Sequence, residues 1–299
     1  MINEIKTKSI LNKHKKRDDW FLDDYSLNPY SGCSYNCIYC YIRGSKYGEN
    51  MTQKLSAKLN APELLEKQLK RRASKGEYGI IAISSSTEPY MLIEERLNLT
   101  RRILEIILKY RFPVEIATKS NLVLRDLDLL GEIDRNAILP YDLKPRLNRG
   151  AIISFSISTL DEKLAKILEP GAPAPLERFK TLKKCKDRGF LVGANFIPVL
   201  PFLSDSEEQL DIMVKTAKDY DADFVFVGGL TLFGEKPYDS KILYYKFIEN
   251  YYPDLLPRYK SLYRIFFAPS KEYQIALNES TLKICEKYGI KNQICGKIK

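Results

Sequence analysis

Between residues 79 and 228 short apolar runs alternate with stretches of helical periodicity, and this alternation leaves few architectures open. Gly79-Ile80-Ile81-Ala82-Ile83-Ser84, Val114-Glu115-Ile116-Ala117-Thr118 and Ala151-Ile152-Ile153-Ser154-Phe155-Ser156-Ile157 each read as a buried parallel strand. Residues 190–197 and 223–227 read the same way, the first stopped by Pro198 and Pro201, the second meeting Gly228-Gly229. Helices are expected over 55–75, 94–110, 124–133, 176–188 and 207–220, from apolar residues at helical spacing such as Leu99, Ile103, Ile106, Ile107 and Tyr110. Strand–helix alternation of this kind builds βαβ units and a parallel sheet. A sixth strand is expected near residues 24–27. Residues 134–149, with two prolines and mixed charge, read as an insertion or long loop. The tail from Lys241 onward reads as helical and tyrosine-rich.

With 299 residues and 44% apolar content, the chain can bury a substantial core. It holds no run of about eighteen apolar residues, so no transmembrane helix is expected. Residues 1–16 are polar and basic, which predicts no signal peptide and a cytoplasmic setting. The net charge of +10 can attract nucleic acid. However, Lys and Glu are both abundant and spread along the chain. Lys13-His14-Lys15-Lys16-Arg17 reads most simply as a solvated, flexible arm; its functional reading is an arm that contacts phosphates.

The chemistry-bearing feature is Asn28-Pro29-Tyr30-Ser31-Gly32-Cys33-Ser34-Tyr35-Asn36-Cys37-Ile38-Tyr39-Cys40-Tyr41, a C-x3-C-x2-C spacing. Three thiolates can hold three irons of a cubic cluster and leave the fourth open. Purely electron-transferring clusters use four cysteines, and structural zinc takes a closed set of four ligands. The chain has six cysteines and one histidine, His14, so a closed site needs a ligand from far along the sequence. A three-cysteine cluster, a zinc site and unligated thiols all remain open on spacing alone. A disulfide framework is not expected in a chain of this size without a secretory signal.

The run C-x3-C-x-aromatic-C, with Tyr39 before the last cysteine, resembles the signature of the radical S-adenosylmethionine (SAM) superfamily. The flanking Asn28-Pro29-Tyr30 and Tyr41-Ile42-Arg43 resemble the branch that contains the spore photoproduct lyases. Further blocks match: Thr87-Glu88-Pro89-Tyr90, Thr118-Lys119-Ser120, Arg125-Asp126-Leu127-Asp128-Leu129-Leu130, Ser158-Thr159-Leu160-Asp161 and Leu168-Glu169-Pro170-Gly171-Ala172-Pro173. Together they cover roughly residues 25–230.

The resemblance implies an α/β fold, a partial (β/α)6 TIM-type barrel. The implied layout is a basic arm over 1–22, the barrel over 23–237 and a helical C-terminal extension over 238–299. It implies a [4Fe–4S] cluster on Cys33, Cys37 and Cys40. The open iron is chelated by the amino and carboxylate groups of SAM, and a reducing donor of ferredoxin or flavodoxin type feeds the cluster. One electron then yields a 5′-deoxyadenosyl radical that abstracts hydrogen from an unidentified, possible nucleic-acid, substrate.

Functional residues of such barrels gather at the C-terminal ends of the strands. The resemblance places Tyr39 at the cofactor-facing aromatic position, with Tyr41 beside it. It places Ser86, Thr87 and Glu88 near the SAM ammonium and Lys119 near its carboxylate. Ser156 and Ser158 suit ribose hydroxyls, and Asn195 suits the ribose or adenine. Lesion lyases of this branch carry a hydrogen-donating cysteine near the start of the second strand-end loop. Here that loop reads Ser84-Ser85-Ser86-Thr87, and no cysteine lies between Cys40 and Cys185. Cys185, Cys285 and Cys295 read as ordinary thiols. Two rivals stand beside the enzyme: a non-catalytic iron–sulfur or zinc nucleic-acid-binding protein, and a SAM-dependent methyl transferase that would not need the three cysteines.

Overall fold

The computed structural model describes residues 2–45, 48, 55–264 and 266–295. Its strands are β1 Asn3–Ile5, β2 Leu11–Lys13, β3 Asp23–Leu27, β4 Tyr30–Ser31, β5 Ser56–Lys58, β6 Ile80–Ile83, β7 Val114–Thr118, β8 Ala151–Ser156, β9 Leu191–Val199 and β10 Phe224–Gly229. Its helices are α1 Ala61–Ala73, α2 Glu94–Leu97, α3 Leu99–Tyr110, α4 Leu127–Asn136, α5 Glu162–Leu168, α6 Pro175–Asp187, α7 Glu207–Asp219, α8 Ser240–Tyr251, α9 Leu256–Leu262 and α10 Lys271–Tyr288.

The main sheet has the order β10-β9-β8-β7-β6-β3-β2. Neighbours from β3 through β10 run parallel, and β2 joins antiparallel at the edge of β3. These six parallel strands form the partial (β/α)6 barrel. A small second sheet, β1-β5-β4, lies beside it. Alternate strand residues point outward: Ile81, Ile83, Val114, Ile116, Ile153, Phe155, Val192, Ala194, Val225 and Val227 are buried against helix residues such as Leu65, Leu69, Ile103, Ile107, Leu130, Phe179, Leu182 and Met213. Each such aliphatic side chain contributes roughly 2 kcal/mol by leaving water, so this layer supplies most of the force that holds helices on strands.

The inward residues fall into layers. At the floor, Ile80, Ile152, Phe224 and Phe226 join Leu22, Leu143, Leu147, Ile294 and Cys295 in one apolar cluster. Residues 137–150 form the long loop expected there, and it is packed rather than free. Leu143 and Leu147 plug the bottom of the barrel, and Asp134 closes the segment by accepting from Arg149 Nε (2.9 Å) and Gly150 N (2.8 Å). Gly193 is required here, because an added Cβ would lie 2.2 Å from the Phe224 ring.

Several sequence expectations are corrected. The first helix does not begin at residue 55: Ser56–Lys58 pairs with β1 and β4 as a strand, and Pro62 opens α1. The helix expected over 94–110 breaks at Asn98, which is left-handed (φ 48°). The helix expected from 124 begins as a 3-10 turn, Asn121–Asp126, before α4. Strand β9 runs past Pro198, because its pairing with β8 ends at Asn195 and the proline N needs no partner there.

The basic arm is held against the barrel, although Lys13, Lys15 and Lys16 themselves stay exposed. Lys13 pairs with Tyr25 in the sheet. His14 Nδ1 meets Asp23 at 3.1 Å, Lys16 meets Asp19 at 3.0 Å, and Arg17 meets Asp24 at 3.0 Å and also Asp142. Trp20 stacks on Phe226 of β10 at 5.7 Å and Phe21 meets the same ring edge-on at 5.3 Å. The segment thus bridges the two free edges of the barrel. At the other end, the helices after residue 238 share the barrel's cores. Tyr244, Phe247, Ile248, Tyr259 and Tyr263 pack with Tyr35, Cys37 and Tyr39, while Leu277, Ile284 and Cys285 of α10 join the outer layer. No helix among the described residues is long and apolar enough to cross a membrane.

Candidate active site

One cavity of about 720 Å³ opens inside the barrel, a size typical of cofactor and substrate sites. Its wall includes Cys33, Cys37, Cys40, Tyr39, Tyr41, Ser84, Ser86, Thr87, Glu88, Lys119, Ser156 and Asn195. Among the expected residues only Ser158 is outside the wall. It is buried behind Tyr39, whose hydroxyl it meets at 2.7 Å, and donates to Glu169 at 3.2 Å.

The cysteine loop is held from behind. Ile38 N donates to Leu168 O at 3.0 Å and Gly171 N to Tyr35 O at 3.0 Å. A Cβ on Gly171 would sit 2.6 Å from Ser34 O, so the loop and the Glu169–Pro173 turn can approach only through a glycine. Below this contact lies a buried ion pair. Glu169 accepts from Tyr39 and Arg178, and Arg178 also donates to Ser156 O (2.8 Å) and Pro173 O (2.9 Å). Burial alone would raise the Glu169 pKa, but Arg178 and Lys119 outweigh it and hold the carboxyl below its ordinary range. Tyr39 therefore presents its ring to the cavity while its hydroxyl is fixed. Tyr41 lies at the rim, about half exposed, and donates to Ser85 O at 2.6 Å.

The loop after β6 is tied to its neighbours. Asn28 Oδ1 accepts from Ser86 N at 3.0 Å. Glu88 is buried; it accepts from Tyr90 N at 3.0 Å, from Thr118 Oγ1 at 2.5 Å and from Lys119 N at 2.9 Å. Glu88 thus clamps the β6 loop to the end of β7. Burial pushes its pKa up despite these donors.

Other groups are left with polar needs. Ser84 Oγ, Thr87 Oγ1 and Asn195 Oδ1 are buried without a partner among the described residues. The Lys119 ammonium makes no hydrogen bond or ion pair with the described residues. Burial opposes its charge, but Glu169, Cys37 and Glu88 nearby keep it protonated. Burial also pushes the Cys33 thiol up to about 12 and raises Cys37 and Cys40. Metal binding there must release protons. Among the described residues no group of three or more His, Cys, Asp or Glu side chains closes on a single metal ion. The three thiols instead share one cavity with a cation and orphaned hydroxyls. That donor set fits a cluster with one thiolate per iron and a polar nucleotide cofactor beside it.

Sequence reasoning missed Glu169, Arg178 and Asn28 as positioning residues, although all but Arg178 lie in the blocks quoted above. It also missed a deeper polar layer. Asn195 Nδ2 donates to Ser154 Oγ at 2.7 Å, and Ser154 Oγ donates to Glu115 Oε1 at 3.0 Å. Asp23 and His14 lie on the same cavity wall. A charged residue at an inward position of the apolar strand 114–118 was the available signal. The remaining cysteines lie elsewhere: Cys185 and Cys285 in the outer core, Cys295 in the floor.

A family model described as the Radical SAM superfamily matches residues 27–214. An uncharacterised protein of Mycobacterium tuberculosis is 28% identical over 272 residues, covering 88% of this chain and 74% of its own length. An uncharacterised protein of Acidianus two-tailed virus is 31% identical over 215 residues, covering 68% and 66%. Among solved structures, a spore photoproduct lyase variant with bound AdoMet and dinucleoside spore photoproduct matches with a TM-score of 0.64 at 15% identity, over 95% of this chain and 78% of that one. This last likeness is one of fold. With the family match covering more than half of its length, the chain belongs to the radical SAM superfamily of enzymes.

Proposed function

We propose that Cys33, Cys37 and Cys40 would hold a [4Fe–4S] cluster, that SAM would bind in the same cavity, and that the chain is an enzyme of hydrogen abstraction whose substrate lodges deeper in the barrel. When bound, these groups supply one chemistry: an electron from the cluster splits the sulfonium into methionine and a 5′-deoxyadenosyl radical. The chain's own residues bind, orient and shield. Lys119 offers its free ammonium to the SAM carboxylate. Thr87 Oγ1 and Ser84 Oγ take hydrogen bonds from the SAM ammonium, and Ser156 at the end of β8 faces the ribose. Glu88 and Glu169 hold Lys119 and Tyr39 in position without touching the cofactor.

The observation that carries this reading is the meeting of the three loop cysteines with a Lys119 ammonium that has no hydrogen-bond or ion-pair partner among the described residues, all lining one cavity. The solved spore photoproduct lyase holds AdoMet and a dinucleoside together, and a cavity of about 720 Å³ has room for a cofactor and part of a substrate. Ser84-Ser85-Ser86 stands where lesion lyases carry their donor cysteine, so the proposed reaction is not lesion repair by that relay. A low-potential donor of ferredoxin or flavodoxin type is the partner this reading requires.

The test is anaerobic reconstitution with iron and sulfide, then reduction with SAM present. Expected are about four irons per chain, as a cubane requires, and 5′-deoxyadenosine as product, both lost in Cys37→Ala. Zinc in place of iron, or S-adenosylhomocysteine as product, would sink the reading.

A further inference from the structure

The same cavity is also lined by acids, Asp18, Asp19, Asp23 and Glu115, with His14, Lys16 and Arg17. The three basic side chains are already engaged: His14 with Asp23, Lys16 with Asp19, Arg17 with Asp24 and Asp142. Glu115 has no cationic partner among the described residues. It is 3% exposed, and its hydrogen bond comes from Ser154 Oγ at 3.0 Å. Asn195, 2% exposed, points a second acceptor into the same space. Its Nδ2 donates to Ser154 Oγ, and Oδ1 is left without a partner among the described residues. An unmet polar atom buried there costs about 1–3 kcal/mol.

We propose that Glu115 and Asn195 form a substrate subsite for a cationic nitrogen group, a primary ammonium that fills the barrel beneath the cofactor. The ammonium donates one hydrogen to Glu115 and one to Asn195 Oδ1, and Asp23 supplies longer-range attraction. Burial pushes the Glu115 carboxyl up to about 8; an ammonium beside it draws that proton off and completes the ion pair. The net charge of +10 repels such a ligand at long range, so its capture must come from these acids. That the bound molecule is the enzyme's substrate rests on the radical SAM reading above. The binding itself does not.

The experiment is equilibrium dialysis of the reconstituted protein with radiolabelled n-butylammonium, without SAM, and with n-butanol as the neutral competitor. Saturable binding is expected. Glu115→Gln and Asn195→Ala should each weaken it roughly tenfold, the scale of one lost charged hydrogen bond, and butanol should not compete. SAM affinity, measured in parallel, should change less than about twofold in Glu115→Gln. Absence of saturable binding, equal binding by Glu115→Gln, or equal competition by butanol overturns the subsite. Loss of SAM affinity in Asn195→Ala equal to its loss of amine binding overturns it too, by giving the residue to the cofactor. Failure to take up iron would sink the enzyme reading and leave the dialysis result standing.

Discussion

The backbone N–H of Lys119 donates to Glu88 Oε2 at 2.9 Å, so a carboxylate on one strand-end loop fixes the residue that carries the site's free cation. The other oxygen accepts from Tyr90 N and Thr118 Oγ1. Glu88→Ala strands three buried donors. It should cost about 2–4 kcal/mol of stability and weaken SAM roughly tenfold or more by freeing the β7 end. Glu88→Gln keeps one acceptor and should lie between. Urea unfolding and equilibrium dialysis with SAM measure the two effects. Unchanged affinity in Glu88→Ala would remove its positioning role.

Lys119 itself should act on SAM and not on the cluster. A charged hydrogen bond is worth about 1.5–3 kcal/mol, so Lys119→Ala should raise the SAM Kd roughly 10- to 100-fold. Iron and sulfide content should stay at the wild-type level. Lys119→Arg keeps the charge in a bulkier planar head and should recover part of the affinity. Loss of iron in Lys119→Ala would instead make the lysine a support for the cysteine loop.

The Arg178–Glu169 pair should matter for stability before chemistry. Arg178→Met leaves a buried carboxylate without its main partner, a change worth about 3–5 kcal/mol. The double variant Arg178→Met with Glu169→Gln removes the orphaned charge and should recover part of that loss. Urea unfolding of the four proteins gives the coupling energy. Additive losses would show that the two side chains do not act as a pair.

How much of this was legible in the sequence differs by element. Strands such as 79–84 declare themselves because an apolar run too short for a helix has one use in an α/β chain. The cysteines, Thr87 and Lys119 follow from a spacing and from the strand-end rule, and all of them line the cavity. The arm misled because Lys13 to Arg17 reads as charge without partners. Its acids, Asp23, Asp24 and Asp142, become neighbours only when the sheet forms. The loop before β8 was legible as a loop, but its role was not: Leu143 and Leu147 have no periodic pattern, and their burial is created by the barrel floor. Glu115 was hidden by its own strand, since one acid among apolar residues reads as noise until the inward face is known.

Glu115 also makes a prediction about pH. Burial raises its carboxyl from the ordinary value near 4.3 to about 8 in the folded chain. Between those values the folded protein holds a proton that the unfolded chain has lost. Rising pH therefore favours unfolding across this window, and the slope ends above about 8. Asp23, raised mainly by burial to about 6, adds a slope of the same sign at the acid end only. Metal-free protein should thus lose a few kcal/mol of stability between pH 5 and 8. Glu115→Gln, which cannot titrate, should be nearly flat above pH 6. Urea unfolding at pH 5, 6.5 and 8 reads both curves. An equal slope in the two proteins would place the titrating group elsewhere. Saturating n-butylammonium should flatten the wild-type curve, because a cation beside Glu115 lowers the folded pKa toward the unfolded one, and should leave Glu115→Gln unchanged.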